Sequence, residues 1–210
     1  MGATGLVGRH VLNQALADAR VTRIVAPTRR ALPASSAAAQ AKLQNPVVDF
    51  AALPEGADWW QVDAAISTLG TTRAQSPTLD AYRRIDLELP LAVARLTRAQ
   101  GARCFALCSS MGADAGSRFF YPRLKGELEA GLQALGFPSL VFVRPGMIGG
   151  KREPVRPAER VFEAMLEFLG PVLPRVLRVN PAERIAAALL DGALAAAPGL
   201  RIVGAAELAR

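Results

Sequence analysis

Apolar positions along the chain recur in two alternating modes. Short runs at 21–26 (VTRIVA), 46–50 (PVVDF), 63–70 (DAAISTLG), 103–109 (RCFALCS) and 139–143 (SLVFV) are dense in apolar side chains. Runs of that length, rich in β-branched and aromatic residues, read as buried strands. Between them apolar residues return every three or four positions: Val11, Leu12, Ala15 and Leu16; Ile85, Leu89, Val93 and Leu96; Leu124, Leu128, Leu132 and Leu135. That spacing lines one face of a helix. Pro90 falls inside the second stretch and predicts a kink or restart there; Gly136 closes the third. Helices are also read at 160–169 and 182–197, a last strand at 200–203, and a loop with a poor helix at 31–44. Strands alternating with helices predict an α/β fold, a doubly wound parallel sheet with helices on both faces.

The amino-terminal stretch departs from this rhythm. Gly2, Gly5 and Gly8 stand three apart immediately before the first helix. Glycines at a helix start let backbone N–H groups approach a pyrophosphate, and the helix dipole favours its charge; the alternative is a turn that binds nothing. Such a turn should follow a strand, and one residue precedes Gly2. The first strand is therefore expected to be missing or truncated. Either the true start lies upstream, with Met1 the last residue of that strand, or the sheet lacks a central strand.

The carboxyl ends of the other strands carry further candidates. After 21–26 come Pro27, Thr28, Arg29 and Arg30. A carboxylate there would hold a ribose 2′-hydroxyl, whereas arginine suits a 2′-phosphate; two arginines and no acid point to NADP(H), against the plainer reading of a solvated basic loop. Asp49 either accepts from an adenine amino group or caps the next turn. Gly70, ahead of Thr71 and Thr72, lets a cofactor lie against the backbone. Trp59 and Trp60 read as packing residues. Arg144, Pro145 and Gly146 form a rigid turn at the sheet edge where ligands bind in open α/β sheets.

The densest chemistry lies at 108–127 (CSSMGADAGSRFFYPRLKGE). Tyr121 and Lys125 are four apart, so a helix puts both on one face, about 5–6 Å apart at Cβ. An ammonium beside a phenol favours the phenolate and lowers a pKa that is otherwise near 10, which suits the tyrosine to general acid–base work. Ser109 or Ser110, one loop upstream, would hold a substrate carbonyl. The bland reading is an amphipathic helix with an exposed lysine.

Composition narrows the classes. The 210 residues are 51% hydrophobic and 20% charged, which fits one folded domain with a substantial core. The net charge of +7 could attract phosphates, but no basic block with interleaved aromatics marks a nucleic-acid footprint. No apolar run reaches the roughly 18 residues of a membrane span, and no signal segment opens the chain, so a cytoplasmic location is the default expectation. Cys104 and Cys108 share one face of a strand as core residues, and His10 is the sole histidine; no metal site is expected.

Taken in order, GATGLVG, PTRR, VVDF, STLGTT, SSMGAD, YPRLKGE and VRPG resemble an atypical short-chain dehydrogenase/reductase, of the branch similar to Tat-interacting oxidoreductase-like proteins. The resemblance covers nearly the whole chain. It implies a Rossmann-type fold binding NADP(H), with Gly2, Ala3, Thr4, Gly5, Leu6, Val7 and Gly8 around the pyrophosphate and Arg29 and Arg30 at the 2′-phosphate. Leu69 and Gly70 would lie beside the adenosine half. Tyr121 would be the acid/base, Lys125 would hold the nicotinamide ribose and tune Tyr121, Ser110 (before Ser109) would match the family serine, and the turn from Arg144 would approach the nicotinamide. The expectation is one domain over 1–210, with 150–198 as a small helical cover whose basic loop at 150–160 is either a lid for an anionic substrate or solvated surface. The activity expected is NADP(H)-dependent hydride transfer on a small carbonyl or alcohol. The alternative is a non-catalytic NADP(H)-binding regulator of a protein partner. A homodimer is the expected assembly.

Overall fold

The computed structural model describes residues 1–33, 41–71, 76, 78–149 and 174–209. Its main sheet is wholly parallel and runs in the order β3 (Ala64–Ser67), β4 (Cys104–Cys108), β5 (Ser139–Arg144), β8 (Gly199–Gly204). A separate parallel pair joins β1 (Ile24–Val25) to β2 (Leu43–Gln44). A third small pair, β6 (Ile148–Gly149) with β7 (Asn180–Pro181), extends the chain leaving β5. The α/β architecture read from the sequence is the one observed.

Alternation along β4 decides the two layers. Phe105 and Leu107 face one side with Ala65, Leu140 and Phe142, and meet Leu124, Leu128 and Leu132 of α4 (Phe120–Ala134). Cys104 and Ala106 face the other side with Val141 and Val143, under Ile185, Ala186 and Leu189 of α5 (Ala182–Ala195) and beside Val7 of α1 (Leu6–Ala17). Strands covered on both faces carry little alternation of polarity, which is why RCFALC and SLVFV read as unbroken apolar runs. Of the stretch 150–198, residues 150–173 lie outside the described ones, as does the helix expected at 160–169; α5 forms a layer against the sheet next to α1.

Several boundaries differ from expectation. The strand at 46–50 is absent: β2 lies at Leu43–Gln44, and beyond it only Thr28 and Val47 form an isolated bridge. Pro46 has no N–H to donate, and Asp49 already turns the chain, its Oδ1 accepting from Ala51 N at 2.9 Å. The helix expected from Tyr82 starts earlier, as α2 (Leu79–Arg83), with Thr78 Oγ1 accepting from Ala81 N at 3.2 Å as its cap. It passes through a π-helical turn, Arg84–Glu88, into α3 (Leu89–Ala99). Pro90 cannot donate to the turn behind it; the wider winding absorbs that loss without a break.

Among the described residues, no ladder joins β1 to β3. Met1 and Gly2 bridge toward β3 here: the Met1 amino group donates to Ile66 O at 2.6 Å, its carbonyl accepts from Thr68 N at 3.0 Å, and the Gly2 carbonyl accepts from Thr68 Oγ1 at 3.2 Å. Among the described residues, Met1 stands at the place where the strand before the glycine turn was expected to end.

Candidate active site

The carboxyl ends of β3, β4 and β5 converge with the starts of α1 and α4. The glycine turn comes first. Gly2 adopts φ +82° and its carbonyl accepts from Gly5 N at 3.0 Å. A Cβ at Gly8 would stand 1.9 Å from Gly2 O, so the crossing is possible only without a side chain. Gly5 caps α1 without a side-chain hydrogen bond, and no acidic residue occupies its first turn. The positive end of that 12-residue helix therefore meets no carboxylate of its own, which fits an anionic phosphate group.

The helix α4 begins at Phe120, placing Tyr121 in its first turn and Lys125 one turn later. The Lys125 ammonium sits 5.7 Å from the Tyr121 ring centroid. Lys125 is 1% exposed, and it is paired: Nζ lies 2.9 Å from Oδ1 of Asp86, which is itself wholly buried. Asp86 comes from the π-helical turn, and its Oδ2 accepts from Thr71 N at 2.8 Å. The Thr71 carbonyl accepts from the Tyr82 hydroxyl at 3.0 Å, and the Tyr82 ring meets Tyr121 edge-on at 6.2 Å. A continuous polar chain thus joins the loop after β3 to the ammonium beside Tyr121.

This arrangement reverses one expectation about charge. Burial pushes the Tyr121 phenol above the ordinary tyrosine value; Lys125 pulls it down, Asp86 and Cys108 push it up, and the Ser110 hydroxyl pulls it down. The net direction is upward, not downward, because burial outweighs the ammonium, and the carboxylate beside that ammonium adds to the rise. The residue keeps 39% of its surface exposed, so solvent screens part of that shift. For Lys125, burial acts to lower the pKa, but Asp86 and then Tyr121 outweigh it and the ammonium persists. Burial also lifts Cys108 to about 11, against the pull of Lys125.

The two serines part company. Ser109 is buried and donates to Glu129 Oε1 at 2.5 Å. Ser110, half-buried, donates to the neighbouring Met111 carbonyl at 3.2 Å, also acts on the Tyr121 hydroxyl, and is the serine available beside Tyr121. Arg144 does not project freely at the sheet edge either. Its guanidinium clasps Glu129, Nε to Oε1 at 3.0 Å and a terminal nitrogen to Oε2 at 2.5 Å, and this pair holds its pKa above the usual range. Pro145 O accepts from Met111 N and Gly146 N donates to Asn180 Oδ1, both at 2.8 Å, so the turn after β5 is pinned to the serine loop.

Gly70 lies at the mouth of the same region; a Cβ there would stand 3.6 Å from Asp86 Oδ1, with half-buried Leu69 before it. Arg29 and Arg30 are exposed just past β1 and form no ion pair among the described residues. Their loop is shaped by Thr28, whose hydroxyl donates to Arg30 O at 2.7 Å, and by Asn45, which donates to Ala26 O at 2.6 Å and accepts from Leu32 N at 2.8 Å. Thr72 is outside the described residues.

No family model matches the chain. The mitochondrial protein fmp52 of Emericella nidulans is 41% identical over 181 residues, spanning 82% of this chain and 75% of that protein. The chain belongs to the Fmp52 family. Further Fmp52 relatives include those of Aspergillus clavatus, 37% identical over 82% of this chain and 75% of the relative, and Eremothecium gossypii, 34% identical over 73% and 66%. All three are named as mitochondrial proteins, which overturns the cytoplasmic default. Among solved structures, MoeE5 in complex with UDP-glucose and NAD superposes on this Fmp52-family chain with a TM-score of 0.70 at 18% identity, covering 97% of this chain and 74% of MoeE5. WbmH of Bordetella bronchiseptica in complex with NAD+ gives 0.65 at 13%, covering 97% and 73%. These likenesses show the fold, that of NAD-binding Rossmann proteins.

Sequence reasoning missed Asp86, Glu129, Thr71 and Tyr82 in this Fmp52-family site. Asp86 and Glu129 are acids on stretches otherwise read for their apolar stripes. Their neighbours Ile85 and Leu128 carried the helical signal, and nothing local says that a carboxylate beside them is buried.

Proposed function

We propose that the chain is an NADP(H)-dependent oxidoreductase, a single dinucleotide-binding domain that reduces a small carbonyl compound or oxidises the matching alcohol. The observation that carries this reading is the grouping of Tyr121, Lys125 and Ser110 at the sheet edge that also holds the glycine turn. Dinucleotide-bound neighbours of the same fold and the resemblance to short-chain reductases support it. Residues 2–8 would receive the pyrophosphate at the start of α1, Leu69 and Gly70 would flank the adenosine, with Asp49 near the base, and exposed Arg29 and Arg30 would hold a 2′-phosphate. The turn from Arg144 through Pro145 to Gly146, stiffened by Glu129 and Asn180, would wall the nicotinamide end.

A bound reduced nicotinamide supplies hydride to the carbonyl carbon. The chain's own residues do the rest. Ser110 Oγ–H orients the carbonyl oxygen, and Tyr121 donates its phenolic proton to that oxygen as charge develops. Lys125, kept cationic by Asp86, stabilises the phenolate left behind. A raised phenol pKa keeps Tyr121 protonated at neutral pH, the state that reduction requires.

The deciding experiment pairs a titration with a substitution. NADPH should bind more tightly than NADH, and Arg29→Ala/Arg30→Ala should remove that preference while leaving NADH binding unchanged. Tyr121→Phe should cut turnover at least 100-fold, the usual scale of a lost general acid, with NADPH binding retained; undiminished turnover would refute the assignment. A regulator that senses the dinucleotide is a second reading, favoured by the one observation that the Lys125 charge is already spent on Asp86. It predicts capture of a protein partner that changes with NADPH, and no turnover to lose.

A further inference from the structure

Among the described residues, nine large apolar or aromatic side chains stand exposed. Scattered singly, such residues need no explanation, whereas a contiguous patch marks a binding surface. Five of the nine are not scattered: Met111, Phe119, Tyr121, Met147 and Val176 lie on segments that meet at one place. Met111 follows Ser110 directly, and its N–H donates to Pro145 O at 2.8 Å. Phe119 caps α4 two residues before Tyr121, and Asp114 N ties the serine loop to that first turn through Pro122 O at 3.0 Å. Met147 follows Gly146, and its carbonyl accepts from Asn180 N at 2.7 Å. Val176 lies on a short 3-10 turn, Arg175–Leu177, whose backbone comes up against Gly146: a Cβ there would stand 3.5 Å from Val176 O. Exposure of the four residues other than Tyr121 runs from 41% at Met147 to 77% at Phe119. An apolar rim thus borders the Ser110 and Tyr121 hydroxyls.

Most polar side chains beside those hydroxyls are already committed. Lys125 is paired with Asp86, and Arg144 with Glu129. Ser109 donates to Glu129, and Tyr82 donates to Thr71 O. Asn180 is spent at both ends of its amide, accepting from Gly146 N and donating to Ala205 O. We propose that the substrate is a hydrophobic carbonyl compound: an aldehyde or ketone on a hydrocarbon chain, its oxygen on Ser110 and Tyr121 and its chain along the rim of Met111, Phe119, Met147 and Val176. Two of those four are methionines, whose unbranched, polarizable side chains adapt to a flexible chain. A sugar-like substrate would set its hydroxyls against thioether, phenyl and isopropyl groups, which return no hydrogen bond, and that is costly. Arg118 and Arg175 stand exposed next to rim residues in the chain, so an acidic substrate is the rival. The inference rests on the carbonyl chemistry proposed at Ser110 and Tyr121, whose substrate class it names.

The test titrates straight-chain alkanols, butanol through octanol, onto protein carrying isotope-labelled methionine methyls, alone and with NADPH. Affinity should rise about two- to fourfold per added methylene, about fourfold being the gain for a fully buried CH2. The Met111 and Met147 methyl signals should shift as binding saturates, while Met1, which lines a cavity between β1 and β3, stays still. A flat series, silent Met111 and Met147 signals, or movement at Met1 alone would overturn the proposal; a rim already held by another part of the chain or a second copy gives the second of these. 8-Hydroxyoctanoate should bind no tighter than octanol. Tighter binding that is lost in about 0.5 M salt would make the guanidinium groups the anchor and reject a hydrocarbon substrate. Phe119→Ser keeps a favoured helix cap and should weaken octanol at least about threefold; unchanged affinity in both Phe119→Ser and Met147→Ser rejects the rim. Turnover then separates the two proposals. Octanal should exceed glyceraldehyde in kcat/KM with NADPH at least about tenfold. Equal rates would leave the catalysis standing and remove the apolar site, whereas length-dependent binding with no reduction of octanal would support the apolar site and remove the catalysis.

Discussion

Asp86 is the residue on which the candidate site turns. It is wholly buried, and it neutralises a lysine that is itself 1% exposed. Replacing one member of such a pair leaves the other charged and dry, at a cost of about 3–5 kcal/mol. Asp86→Asn should therefore lower Tm by roughly 6–20 °C for a chain of this size, and adding Lys125→Met should restore most of it; thermal melts of the single and double variants check this. The pair also fixes a pH profile. Tyr121 has a phenol pKa above its ordinary value, set by burial against Lys125, with Asp86 and Cys108 raising it further. Reduction needs the protonated phenol, so its rate should hold steady through neutral pH and fall only above the range in which an ordinary tyrosine ionises. A profile of kcat against pH that declines near 8 would show the lysine winning over its carboxylate.

Helix α4 presents its two internal glycines to different neighbours. A Cβ at Gly126 would stand 2.1 Å from Ala115 N and 2.2 Å from the Asp114 carbonyl carbon, backbone that has nowhere to go. At Gly131 the nearest atoms are the side-chain tips of Leu91, at 2.9 Å and beyond. Gly126→Ala should destabilise by about 1–3 kcal/mol and displace the loop carrying Ser110. Gly131→Ala should be neutral or stabilising by up to about 1 kcal/mol; urea melts of both variants separate the cases. Nothing in the sequence distinguishes these two glycines, because the loop at 114–115 reaches α4 only in the folded molecule. What periodicity did reveal is the apolar side of each element: Leu124, Leu128 and Leu132 face β4 as their spacing says, and Cys104 and Ala106 share a face as period two requires. It failed where backbone pairing decides. The strand read at 46–50 yields to Leu43–Gln44 because pairing with β1 ends at a proline and a turn. The partners of Ser109 and Arg144 were hidden for a related reason, since Glu129 meets them from a different element.

At the scale of the molecule, charge and topology meet at Met1. Its amino group has a pKa lowered by burial to about 6, against an ordinary value near 8. Between those values the unfolded chain binds more protons than the folded one, so stability should rise with pH from 6 to 8. The gain is on the order of 2 kcal/mol. Melts at half-unit pH steps should show the climb in the chain that starts at Met1 and its loss once that amine is acetylated. The division of the sheet has a consequence for how the protein comes apart. Hydrogen bonds run without interruption from β3 to β8, and again from β1 to β2, but among the described residues the two ladders share none. Unfolding therefore need not be all-or-none: the outer pair can detach as its own foldon while the four-stranded block holds. Calorimetry on such a molecule would register a van't Hoff enthalpy smaller than the calorimetric one, the mark of two cooperative units sharing a single chain.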